Sequence, residues 1–165
     1  MSFFKTLFSS KRKRANSDAA LLSQQLLQSN DLIFCEALRS INLDYELMSL
    51  KELDYYLWKV RLHYQLKNQD AKSMTQKAKL MNELTPSILS VGAYLGETLR
   101  KQNKNLNWAE NTQPLHDGAA APSMAVFILT DQINTTSPMQ EVINFICSQK
   151  QPDSLYIYAE NVLKN

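Results

Sequence analysis

The sequence predicts a predominantly helical α+β fold, with about five to six helices and a small two-stranded β-hairpin. Only 3 glycines and 5 prolines interrupt the 165 residues, and abundant residue types such as Leu, Lys, Gln and Glu are good helix formers. The hairpin is predicted because residues 124–130 are rich in apolar residues that favour a strand. A chain of this length with 44% hydrophobic residues can form one domain with its own core.

Residues 1–16 differ in composition from the rest of the chain, because apolar residues at helical spacing precede the basic cluster Lys11, Arg12, Lys13 and Arg14. We interpret residues 1–16 as a basic amphipathic N-terminal tail and residues 17–165 as a single globular helical domain. The tail carries five positive charges against a net charge of +2 for the chain, so the remaining residues carry a net charge of −3. Such a tail can contact an anionic membrane surface or nucleic acid, or it can be a solvated terminus.

The sequence favours a cytoplasmic protein. No apolar run approaches the ~20 residues that cross a bilayer, and the first residues lack the charged-then-apolar order of a secretory signal. Cys35 and Cys147 each lie in a short apolar stretch and far apart in the chain. That pattern is typical of small buried thiols and argues against a disulfide scaffold.

Capping residues predict where the helices of the first two thirds of the chain begin. Side-chain oxygens of Ser, Thr, Asp and Asn satisfy the free N–H groups of a first turn, and proline is tolerated at the first helical position. The predicted starts are Asn16-Ser17-Asp18, Asp31, the capping box Ser49-Leu50-Lys51-Glu52, and Thr85-Pro86, which follows a separate helix over residues 71–83.

Two apolar patterns predict how these helices pack. After Ser49, one buried stripe is predicted at spacings of three and four, and it leaves Tyr56 and Trp58 outside. In the helix after Pro86, Gly92 and Gly96 lie one turn apart, and each costs about 1 kcal/mol relative to alanine. We therefore expect another element to approach closely at these glycines. The members of the predicted stripe are Leu50, Leu53, Leu57, Val60 and Tyr64.

The last third of the chain predicts the hairpin and two more helices. Leu106-Asn107-Trp108 is expected to begin the first strand and residues 124–130 the second. A further capping box, Ser137-Pro138-Met139-Gln140, and the segment Pro152-Asp153-Ser154 are each expected to open a helix.

No residue pattern predicts catalysis, a cofactor or a metal site. His63 is flanked by apolar residues in a predicted helix, and His116 beside Asp117 has no identifiable nucleophile. Paired histidines or cysteines at ligand spacing are absent from the sequence, as is a glycine-rich phosphate loop. Among the carboxylates, Glu97 is expected to pair with Lys101.

Asp54 is likewise expected to meet Trp58 or Arg61, one and two turns further along its own helix. A carboxylate enzyme would require a deep pocket that brings Glu97, Tyr94 and a second acidic group together. We expect these carboxylates to have structural roles instead.

The segment Gly92-Ala93-Tyr94-Leu95-Gly96-Glu97, followed by Trp108, resembles a "GAYLGE…W" signature of small bacterial cytoplasmic proteins. Looser similarities upstream and downstream extend the resemblance over roughly residues 45 to 163. The resemblance implies a helical domain with a small hairpin and, in many cases, an immunity protein that neutralises a toxin. It also implies that Tyr94, Gly96, Glu97 and Trp108 form a motif that fixes the fold.

The function that these observations predict is a non-enzymatic protein-interaction module, with an immunity-type inhibitor of a bacterial toxin as its specific form. A membrane-surface or nucleic-acid adaptor working through the tail, and a structural protein, are the alternatives. The expected partner is another protein. Because loops carry recognition more often than scaffolds do, the predicted partner-binding residues are His116, Asp117 and Asp131.

Overall fold

The computed structural model describes residues 3–28, 30–110, 127–131 and 133–164, and for residues 3–13 and 110 it describes the backbone only. Within these ranges the fold is predominantly helical α+β, as predicted. The helices are α1 (Phe3–Gln28), α2 (Cys35–Leu38), α3 (Leu47–Asp70), α4 (Met74–Gln102), α5 (Pro138–Cys147) and α6 (Leu155–Lys164). The strands are β1 (Asn107–Glu110), β2 (Phe127–Thr130) and β3 (Thr135–Thr136). Among the described helices, none has the length and apolarity that a membrane span requires.

Helix α4 is the central element of the fold. Its second half, from Ser87 to Leu99, is buried on most sides, and α1, α3, α5 and α6 all pack on it. The buried face of α1 carries the small residues Ala15, Ala19 and Ser23, one turn apart, which allows a close approach between helices. Helix α3 packs on α4, α5 and α6, so it joins the two C-terminal helices to the centre.

The predicted hairpin is confirmed, and the structure adds a third strand. β1 and β2 are antiparallel, with Trp108 opposite Leu129, and β3 pairs with the other edge of β2. The amide of Trp108 on edge strand β1 donates to Oδ1 of Asn16 at 2.9 Å, so α1 covers part of that edge. Residues 124–126 of the predicted second strand lie outside the described residues.

The first two predicted helix starts are wrong. Helix α1 runs from Phe3 through Asn16-Ser17-Asp18 without a break, and the Asn16 side chain is used by β1 instead of by a helix cap. Asp31 does not cap α2, because its N-cap residue is Phe34, in the left-handed region with φ 54°. Both errors come from tertiary contacts and backbone geometry that outweigh the local capping preference.

The two later starts are also wrong. Helix α3 begins at Leu47, and the predicted capping box of Ser49 and Glu52 does not form. The Ser49 hydroxyl donates to the Glu46 carbonyl at 2.6 Å, and the Glu52 carboxylate accepts from the amide of Asn42 at 3.1 Å. Helix α4 passes through Thr85-Pro86 and begins after Ser73, which forms a capping box with Gln76. A proline inside a helix costs ~3 kcal/mol or more. The buried residues on both sides of Pro86 offset that cost.

The predicted apolar stripe of α3 is confirmed. Leu50, Leu53, Leu57 and Val60 are fully buried, whereas Tyr64 is half-buried. Tyr56 was expected outside this stripe but is also fully buried, and its hydroxyl lies 2.9 Å from both the Ile33 carbonyl and Ser87 Oγ.

The two predicted C-terminal helices are confirmed, but the box at Ser137 is only half formed. The Ser137 hydroxyl accepts from the Gln140 amide, but the Gln140 side chain donates to Asn144 instead of bonding the Ser137 backbone. Helix α6 begins directly after the predicted segment Pro152-Asp153-Ser154.

Candidate functional site

The structure brings three of the four motif residues together at the joint between α4 and β1. The Trp108 indole ring lies over Gly96, where an added Cβ would be 2.1 Å from Trp108 Cζ2. Glu97 Oε1 accepts from Trp108 Nε1 at 2.7 Å and from Arg100 at 2.8 Å. The close approach predicted at the helix glycines is therefore present, and it is repeated at Gly92 against Met139.

Tyr94, the fourth motif residue, holds the chain segment before α3. Its hydroxyl accepts from the Tyr45 amide and lies 2.8 Å from both that nitrogen and Ser49 Oγ. The rings of Tyr45 and Tyr94 stack with centroids 4.6 Å apart, although Tyr45 has a positive φ of 61°. Burial raises the pKa of Tyr94, which keeps the phenol neutral as a hydrogen-bonding group. These contacts give all four motif residues a structural role.

A cleft of about 310 Å³ lies beside the motif and is lined by Tyr45, Glu97, Arg100 and Lys101. The expected ion pair between Glu97 and Lys101 does not form. Glu97 pairs with Arg100, whereas Lys101 binds Glu46 Oε1 at 2.6 Å. Each charge that lines the cleft thus has a partner of opposite sign.

Of the predicted partner-binding residues, the structure describes Asp131, and His116 and Asp117 lie outside the described residues. The Asp131 carboxylate accepts from the amides of Ile133 and Asn134 at 3.0 and 2.8 Å, and these hydrogen bonds lower its pKa. Asp131 therefore shapes the turn between β2 and β3.

Other chemically capable residues have local partners. His63 Nε2 lies 3.0 Å from Glu83 on α4, and its ring meets Phe34 edge-on. Burial raises the pKa of Cys147, which disfavours its thiolate. Within the described ranges, no group of three or more His, Cys, Asp or Glu is placed to hold a metal ion.

A second candidate site lies where side chains of α3 bind the C-terminal end of α5 and the N-terminus of α6. Asp54 was expected to meet Trp58 or Arg61, but its carboxylate accepts from the Leu155 amide at 2.9 Å and from the Ser154 hydroxyl at 2.5 Å. It thereby caps the N-terminus of α6 from another helix. Burial raises the pKa of Asp54, and its two hydrogen bonds oppose that shift.

Arg61 holds the C-terminal end of α5 in the same way. It is 3% exposed and donates to the carbonyls of Phe145 and Lys150, at 2.5 and 2.8 Å. The Phe145 carbonyl is at the negative end of the α5 dipole, which favours a cation, and the Lys150 carbonyl lies in the connection that follows the helix. Asp54 and Arg61 together fix both ends of the 148–154 connection on α3.

Trp58 lies between these two anchors on the same side of α3. Its ring contacts the Arg61 guanidinium at 5.4 Å and meets Phe145 edge-on at 5.9 Å, while 38% of the residue stays exposed. Beside it is an open groove of about 460 Å³, which we call the Trp58 groove. The groove is lined by Asp54, Trp58, Phe145, Gln151, Pro152, Asp153, Ser154 and Ile157.

Sequence reasoning missed the Trp58 groove, because its parts come from residues about 90 to 100 positions apart. The signal that was available is the spacing of Asp54, Trp58 and Arg61, which places an acid, an aromatic ring and a base on one side of a helix. Asp153 is exposed at the rim. Burial and, to a lesser degree, the charge of Asp153 raise the pKa of the neighbouring Glu141, so a second carboxyl group lies close to this rim.

Comparisons of the chain with protein-family models, with curated proteins and with solved structures find no match. The function proposed for the groove therefore rests on the geometry and charge of the described residues.

Proposed function

We propose that the protein is a non-enzymatic protein-interaction module, and that the Trp58 groove binds an apolar and basic segment of another polypeptide. The observation that carries the proposal is an exposed tryptophan fixed between two anchors, of which Arg61 is buried and Asp54 is half-buried. Asp54 and Arg61 are held by hydrogen bonds to α6 and α5, so the Trp58 ring has a rigid support. A fixed aromatic ring loses little conformational entropy when a partner covers it.

The composition of the groove is that of an interface centre. Trp is among the residues enriched at binding hot spots, where one side chain contributes ~2 kcal/mol or more. Phe145, Pro152 and Ile157 supply apolar walls around Trp58, and Ile157 is 48% exposed. A partner's aliphatic or aromatic side chain would bury this surface.

The charge of the rim supports a basic partner. Asp153 and Glu141 lie near enough for their charges to interact, and the chain beyond the N-terminal tail is net acidic. Complementary charge increases association rates and suppresses wrong partners. An immunity-type inhibitor of a basic toxin is the specific form of this proposal, in keeping with the motif resemblance.

The test begins with the intact chain as bait in a lysate of its native cells, with mass spectrometry to identify the captured polypeptide. Its affinity is then measured for the wild type, Trp58→Ala and the control Leu27→Ala, which removes a side chain 44% exposed on α1. Loss of a hot spot worth ~2 kcal/mol weakens binding by about 30-fold. We expect that loss for Trp58→Ala and none for Leu27→Ala.

A second arm tests the charge of the rim and the role of the tail. Asp153→Lys is expected to weaken binding of a basic partner and to flatten its dependence on salt. If Trp58→Ala binds as tightly as the wild type, the groove is not the binding site. If the chain instead binds lipid or nucleic acid, and that binding disappears when residues 1–14 are deleted, the function of a membrane-surface or nucleic-acid adaptor replaces this proposal.

A further inference from the structure

Helix α3 carries a second apolar surface that the Trp58 groove does not use. Its four members are strongly exposed and lie along the face opposite the buried stripe. None of them lines the groove. We call this surface the outer stripe: Met48, Tyr55, Leu62 and Leu66, with exposed fractions of 60%, 63%, 54% and 65%.

The spacing of the outer stripe is that of a helix–helix contact. Met48, Tyr55 and Leu62 recur every seven residues, and Leu66 follows one turn later, so they lie in one row along the helix. Single exposed apolar residues are ordinary, whereas an aligned row marks a contact surface. Because α3 buries its other apolar stripe in the core, this row is not needed for the fold.

The charges beside the row indicate which partner fits. Glu52 and Lys59 lie on the same flank of the outer stripe and are seven residues apart, like the apolar members themselves. In two antiparallel copies of α3 that meet at Tyr55, Glu52 of each copy lies opposite Lys59 of the other, within one residue. The same register places Met48 opposite Leu62. From Met48 to Leu62 the outer stripe is thus complementary to itself, in apolar contacts and in charge, whereas Leu66 lies beyond the partner's α3, which begins at Leu47.

We propose that two copies of this chain associate through their outer stripes, with the α3 helices antiparallel and Tyr55 at the two-fold axis. Such an isologous contact repeats each interaction twice. In a parallel pair, the flank that carries Glu52 and Lys59 would face the opposite flank of the partner helix, so Glu52 would not lie opposite Lys59 of the other copy. From Met48 to Leu66 the stripe is about 27 Å long at 1.5 Å per residue. Because this is a small contact, the dimer is weak and depends on concentration.

The first experiment measures the mass of the intact chain by sedimentation over concentrations from ~1 μM to ~1 mM. The mass is expected to rise from 18.9 kDa towards twice that value. Leu62→Glu is expected to shift the midpoint at least tenfold towards higher concentration. The matched control is Leu21→Glu on α1, whose side chain is 58% exposed, and it is expected to leave the midpoint unchanged.

The second experiment tests the register by disulfide formation. The background is Cys35→Ser with Cys147→Ser, which removes both native cysteines. Tyr55→Cys is expected to form a covalent dimer on mild oxidation, because the two positions face each other across the axis. Leu66→Cys is not expected to do so, because antiparallel copies separate these positions by about 33 Å along the helices.

The third experiment exchanges the charges. Glu52→Lys or Lys59→Glu alone is expected to weaken the dimer, and the double exchange is expected to restore it, which a purely structural role of either residue would not produce. A monomer at every concentration overturns the proposal, as does a dimer unaffected by Leu62→Glu. Equal cross-linking of Tyr55→Cys and Leu66→Cys overturns the antiparallel register. Trp58→Ala is expected to dimerise normally, which separates this proposal from that of the Trp58 groove.

Discussion

Helices α3 and α4 are the two long helices whose side chains are described along their whole length, and they use their apolar residues differently. The second half of α4 is buried on most sides, with glycines where Trp108 and Met139 approach. Helix α3 buries one apolar stripe and leaves another exposed on the opposite face. A fully enclosed helix is constrained by packing alone, whereas a helix with a second apolar face has residues that stability does not require. This difference separates the scaffold from the surface available to partners.

The largest effect is expected at the enclosed helix. Gly96→Leu would place its Cβ 2.1 Å from the Trp108 ring. The ring or the α4 backbone would have to move, and either movement would disrupt the packing of β1 on α4. We expect loss of the cooperative thermal transition. The control is Asn82→Leu on the exposed side of α4, which should leave the melting midpoint nearly unchanged. An unchanged midpoint for Gly96→Leu would contradict close packing at this glycine.

A matched pair of leucines tests the two faces of α3 directly. Leu57 is fully buried and Leu62 is 54% exposed. Leu57→Ala leaves a cavity in the core and is expected to lower the free energy of unfolding by about 2–5 kcal/mol. Leu62→Ala is expected to change it by less than ~0.5 kcal/mol. Urea denaturation at low protein concentration measures both, and similar losses at the two positions would show that the outer stripe contributes to the fold.

A smaller effect is expected at the Trp58 groove, where Asp54 caps α6. Asp54→Ala removes the acceptor for the Leu155 amide and is expected to cost about 1 kcal/mol of unfolding free energy. Asp54→Asn keeps an acceptor oxygen and should cost less. Chemical denaturation at neutral pH compares the two variants. If Asp54→Ala is as stable as the wild type, the cap is not important for stability.

The same carboxylate gives a pH dependence with a defined sign. Because burial raises the pKa of Asp54 above 3.8, the folded protein holds this proton at pH values where the unfolded chain has released it. The contribution of Asp54 to stability is therefore largest below pH 3.8 and falls as pH rises through the raised pKa. Asp54→Asn has no titratable carboxyl group at this position, so the wild type should gain stability relative to the variant on acidification. Glu141, whose pKa is also raised, acts equally in both proteins.

Patterns within one element were readable from the sequence. The stripe from Leu50 to Val60 is set by helical periodicity, and the need for a close neighbour at Gly92 and Gly96 follows from the cost of glycine in a helix. The hairpin was predicted from the apolar run around Leu129. The two-residue strand β3 was missed, since Thr135 and Thr136 give no periodic signal.

The sequence could not predict which of several possible hydrogen-bond partners a side chain would bind. Ser49 has the spacing of a helix cap, but the Tyr94 hydroxyl, 45 residues away in the chain, is the partner it meets. Asp54 has two good neighbours on its own helix and instead bonds the α6 terminus about 100 residues further on. Such choices depend on tertiary distances, and the Trp58 groove is built from them.

The buried Arg61 has a consequence for how the molecule opens. Its two described hydrogen bonds end on the carbonyls of Phe145 and Lys150, so its charge is balanced by backbone dipoles in the last turn of α5 and in the 148–154 connection. If the 148–154 connection separated from α3, the Arg61 guanidinium would lose both hydrogen-bond acceptors while still largely shielded from water. Deuterium uptake at the hydrogen-bonded Leu155 amide, which follows the connection, should therefore be slow and should occur together with uptake in the middle of α3, as one cooperative unit.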